Sequence, residues 1–117
     1  MPCYIFNEFI RACRKRRNIT VWPKVIPEAY KDFGLWDEEA IITFIANDGI
    51  QKPTFQNSEQ WRGNPDSQKP IIIDSYRFIT LEKVGYIAFF RTNEGHWSIK
   101  SLKQSTELNS SMTIVRY

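Results

Sequence analysis

Three stretches of alternating, β-branched and aromatic residues follow one another with little chain between them: Ile71 to Thr80, Val84 to Arg91 and His96 to Lys103. Segments of this length and composition read as strands. Between the last two lies Thr92-Asn93-Glu94-Gly95, whose glycine can take the positive φ that a tight reversal needs. The second half of the chain is therefore expected to form an antiparallel meander. What precedes it must supply a cover for one face.

The first half has helical periodicity. From Tyr4 to Arg17, Ile5, Phe6, Phe9, Ile10 and Cys13 recur at three- and four-residue steps. Ile19 to Ile26 leans towards β structure, but Pro23 restricts it to an edge strand or an extended connection. Pro27 to Phe33 fits a short helix with proline in its first turn and Gly34 closing it. Asp37 is a good N-cap for a further helix over Glu38 to Asn47, stopped by Asn47-Asp48-Gly49. Ile50 to Phe55 reads as a short strand weakened by Pro53. Gln56 to Pro70 is polar and reads as a long loop, of the kind that is usually functional or mobile. Gln104 to Ser111 suggests a turn or link, and Met112 to Tyr117 a last strand or a tail. This is the layout of one α+β domain over 1–117. A helical part of about 1–48 packs on one face of an antiparallel sheet of three to five strands within about 50–117.

Composition narrows the function classes. At 117 residues with 42% hydrophobic and 15% aromatic content, the chain can bury a core without disulfides or metal. If Cys3 and Cys13 sit on or beside one helix, they are ~15 Å apart, too far to pair. Reduced thiols suggest the cytoplasm. His96 is the single histidine and no Cys or His pair has ligand spacing, so neither a zinc site nor any cofactor is expected. Met1 to Ile10 is too short and mixed for a signal peptide, and no apolar run is long enough to span a membrane. The net charge of +3 permits a polyanionic partner without demanding one.

Two groups of residues carry possible chemistry. On the strand that begins at His96, alternation sends His96, Ser98, Lys100 and Leu102 to one face, and Trp97, Ile99, Ser101 and Lys103 to the other. Trp97 and Ile99 belong under the helices, which leaves His96 and Lys100 on the open face, with Arg91 across the turn. An imidazole with two cations suits attack of a ribose 2′-hydroxyl on its phosphate: an acid and a base for the protons, cations for the developing charge. Equally, His96 beside a turn can be an idle solvent-exposed residue. Ile87 and Phe89 share parity with Arg91, so either both faces are covered or the open face carries apolar patches. The second group is Arg11, Arg14, Lys15, Arg16 and Arg17. It could bind nucleic-acid phosphates or form a solvated, dipole-compensating helix end. Trp61 and Arg62 could stack on an unpaired base, or Trp61 could pin its loop to the body. Asp37, Glu38 and Glu39 suit a helix first turn and need no further role.

A short basic chain with helices first, then a meander whose last strand reads GHWSIKSLKQ, resembles the small ribonuclease toxins of bacterial toxin–antitoxin systems. This broad group has barnase-like, colicin-like and RelE-like folds. The resemblance implies RNA cleavage without metal on an open sheet face. The matching catalytic positions are His96 and Lys100, supported by Arg91, with a cognate antitoxin or other protein as partner. The chain departs from the barnase-like branch in lacking its paired Glu and His. Two other readings stay open: a non-catalytic nucleic-acid-binding module, and a small phage or mobile-element protein that binds another protein. A small-molecule enzyme has the least support, since no cofactor motif is present.

Overall fold

The computed structural model describes residues 1–66, 68–80 and 83–105. Its elements run α1 (Phe6–Lys15), β1 (Ile19–Val21), α2 (Val25–Phe33), α3 (Glu38–Ala46), β2 (Gln51–Gln60), β3 (Ile72–Thr80), β4 (Lys83–Arg91) and β5 (Trp97–Gln104). The five strands form one sheet in the order β1-β5-β4-β3-β2. Four of them are antiparallel neighbours, while β1 joins parallel to β5, pairing Ile19, Thr20 and Val21 with Trp97, Ser98 and Ile99. The architecture is α+β, with the helices ahead of β2 to β5, and the sheet is mixed where an antiparallel one was expected. The readings for 106–117 fall outside the described residues.

Local chemistry explains the element ends. Asp37 Oδ1 accepts the Ala40 N–H at 2.7 Å and so caps α3. Gly34 closes α2 at φ +73°, its N–H reaching the Tyr30 carbonyl. In the β4–β5 turn, Gly95 sits at φ +89°, and the Thr92 hydroxyl accepts the His96 N–H at 3.1 Å.

Gln56 to Gln60 belongs to β2 and not to the long loop expected there, so the loop before β3 begins only at Trp61. Two register shifts against β3 let Pro53 and Gln56 be passed over without breaking the pairing. A third shift, between β4 and β5, leaves Lys100 as the extra residue. Because the bulge resets the alternation, Leu102 enters the core, while Ser101 and Lys103 face away from the helices, opposite to the expected parity.

The helices cover one sheet face. Phe9 and Cys13 of α1, Val25 and Ala29 of α2, and Ile41 and Ile45 of α3 pack with Tyr76, Phe78, Ile87, Phe89, Trp97, Ile99 and Leu102. Phe9 stacks on Phe89 at 4.0 Å between centroids. Ile87 and Phe89 therefore belong beneath the helices and not on the open face. The other face is also covered at one end. Trp61 stacks on Phe90 at 5.4 Å, and Ser75, Ala88, Phe90 and Ser98 are buried there.

Candidate nucleic-acid interface

Arg11, Arg14 and Lys15 of α1 and Arg16 and Arg17 directly after it make up the basic cluster, and the structure treats its members differently. Arg14 donates to Asp48 at 3.0 Å and to the Ala46 carbonyl at 3.2 Å. Arg16, the left-handed residue ending the helix, donates to Glu39 at 2.9 Å and to the Thr43 hydroxyl. Both are thereby spent tying α1 to α3. Arg11, Lys15 and Arg17 are exposed and make no ion pair among the described residues.

These three line one cleft of about 290 Å³, together with Ala12, Asn18, Gly95 and Trp97. Glu8 is the carboxylate in its wall, and Glu8 is engaged by Arg91 at 3.4 Å. Chain geometry builds the cleft. Arg16 and Asn18 both take positive φ, at 52° and 55°, and turn the chain from α1 into β1. The Asn18 carbonyl then accepts the Trp97 N–H at 2.7 Å. The parallel pairing of β1 with β5 thus sets the cationic helix end beside the β4–β5 turn.

The proposed acid–base group does not converge. Arg91 lies on the helix-covered side, its guanidinium 5.1 Å from the Trp97 ring centroid and bonded to Glu8. His96 lies on the other side, Nε2 at 2.6 Å from Thr20 Oγ1. Lys100 shares that side, but it lies four positions further along the chain than His96, about 13 Å. Its ammonium is held 4.8 Å over Trp22 and 6.0 Å from Trp61. Burial, then the neighbouring Lys24, pull its pKa below the usual lysine value. The expected grouping of Arg91 with His96 and Lys100 is corrected accordingly: strand parity divides it between two faces.

Trp61 is half-buried between Phe90 and Trp22, the latter at 5.2 Å edge-on, so it pins its segment to the sheet. Arg62 beside it is exposed. Thr20, Trp22 and Lys24 were missed by sequence reasoning. Their signal was the β-leaning Ile19 to Ile26 segment, which does not reveal which strand it joins. Among the described residues, no three His, Cys, Asp or Glu side chains are grouped to hold a metal ion. None of the described helices is long and apolar enough to cross a membrane.

Compared with known proteins, the chain matches no family model, no curated protein and no solved structure.

Proposed function

We propose that this protein is a non-catalytic module that binds single-stranded nucleic acid, RNA in the first instance. The observation that carries this reading is the sorting of the cations. Two of the five are neutralised by carboxylates, and Arg11, Lys15 and Arg17, with no ion pair among the described residues, converge on one cleft. Guanidinium and ammonium groups gathered this way hold phosphate oxygens by charge-assisted hydrogen bonds. The aromatic face at Trp22 and Trp61 adds a surface on which an unpaired base can rest. Cleavage would need an acid and a base around one phosphate, and His96, Lys100 and Arg91 are not so placed.

The test is fluorescence anisotropy of a labelled oligouridine over a salt series. Three phosphate contacts on a single strand give a slope of log K against log salt of about −2. Changing Arg11, Lys15 and Arg17 to Gln should flatten that slope towards zero. Changing Arg14 and Arg16 to Gln should leave it nearly unaltered while loosening α1 from α3. Equal slopes for the two variants would place the interface elsewhere. Incubated with the protein and EDTA, the RNA should stay intact. Cutting that is lost in His96→Ala would favour the ribonuclease reading instead.

A further inference from the structure

On the neighbouring face of α1, a groove of about 420 Å³ runs between that helix, the end of α3 and the start of β2. Its lining is mixed, with the apolar part, its floor, made by Phe6, Ile10, Ile45 and Ile50. Its rim carries Arg11, Arg14 and Asn7, with Asp48 as the facing carboxylate. Asp48 is engaged by Arg14 at 3.0 Å, so among the described residues the rim charge without an ion-pair partner is that of Arg11. Phe6 and Ile10 are half-buried by the fold and leave apolar surface facing the trough.

Dimensions and charge select the occupant. From Phe6 to Arg14 the helix rises ~12 Å, the span of about four residues of extended chain. A groove lined by that length of helix suits a segment of polypeptide. Positive charge on the rim suits acidic residues, and the floor suits an apolar side chain between them.

We infer that this groove binds an acidic peptide segment, seating an apolar side chain on Phe6 and Ile10 and a carboxylate against Arg11. Arg11 also lines the cationic cleft. A bound peptide therefore withdraws one of the three cations that hold nucleic acid, and the two ligands oppose each other. This antagonism rests on the nucleic-acid reading; binding in the groove does not.

The experiment titrates the full chain with a fluorescent nonapeptide in which glutamates alternate with leucines. A counterpart with lysines in place of glutamates and free octanoate serve as competitors. Binding of the acidic peptide should saturate and weaken with salt. Asn7→Glu sets a carboxylate on the rim at a first-turn position that favours acids, so the helix should be kept, as circular dichroism will check. It should weaken the peptide at least roughly fivefold. Absence of binding, equal binding of the lysine peptide, or an unchanged affinity in a folded Asn7→Glu variant would overturn the inference. Displacement by octanoate at matching concentration would overturn it in favour of a small-acid site. Saturating peptide should also raise the apparent Kd for oligouridine roughly threefold or more, as loss of one phosphate contact requires. Peptide binding with no such effect overturns the shared role of Arg11. Failure of oligouridine to bind at all overturns the nucleic-acid reading and leaves the peptide titration to stand alone.

Discussion

Cys13 is fully buried under α1, and burial pushes its thiol up from 9.0 to about 12, with Arg16 pulling weakly the other way. The folded state thus keeps the proton that the unfolded chain releases. Stability from this residue is complete below pH 9.0, falls as pH rises through the window and is gone above about 12. Three units correspond to about 4 kcal/mol, with about 2 kcal/mol lost by the middle of the window. Tyr4 and Tyr76 are also raised by burial, and they steepen the same alkaline decline. Urea unfolding between pH 8 and 11 should show that decline in the parent. It should be shallower in Cys13→Ala, whose stability at neutral pH is lower because side-chain packing is lost. A parallel loss in both proteins would mean that the thiol titrates freely. The same burial makes Cys13 inert to alkylation under native conditions, whereas Cys3 is exposed.

β1 has three residues and lies at the sheet edge, yet it positions one wall of the cationic cleft. Its hydrogen bonds to β5 are supplemented from α3, where the Glu38 carboxylate accepts the Val21 N–H at 2.8 Å. An otherwise open edge amide is thereby covered by a side chain from a helix first turn. Glu38→Ala should cost about 1 kcal/mol. It should also speed hydrogen exchange at Val21 more than at core strands such as β4; unchanged exchange there would show that β1 is held by β5 alone. The helices, the β4–β5 turn and the three consecutive strands were legible in the sequence, because periodicity and capping residues are local signals. β2 was not. Its polar Gln56 to Gln60 stretch pairs with β3 on an exposed edge, where no apolar alternation is required. The bulge at Lys100 was hidden for a related reason: a single extra residue changes the facing of all that follow without altering composition.

At the scale of the molecule, the charge excess of +3 is small, and its effect depends on which cations the fold neutralises. The basic run was visible in the sequence, but its partition into tied and free members depends on Asp48 and Glu39, which other elements bring to it. The division of Arg91 from His96 likewise required the facing of β4 to be known. One buried carboxylate shows how far such long-range terms reach. Asp74 of β3 is fully buried and accepts the backbone N–H groups of Cys3 and Tyr4, each at 2.9 Å, and the Ser58 hydroxyl. It fastens the start of the chain to the far half of the sheet, directly before α1 begins. Removal of the carboxylate takes the acceptor from all three of these donors at once. Asp74→Ala should therefore cost about 2–4 kcal/mol, more than a single neutral hydrogen bond. If the strap also orients α1, the variant should loosen the Phe9–Phe89 stack and the cationic cleft together. Denaturation and oligouridine binding should then weaken in step, whereas a stability loss with unchanged affinity would show that Phe9 alone sets the helix in place.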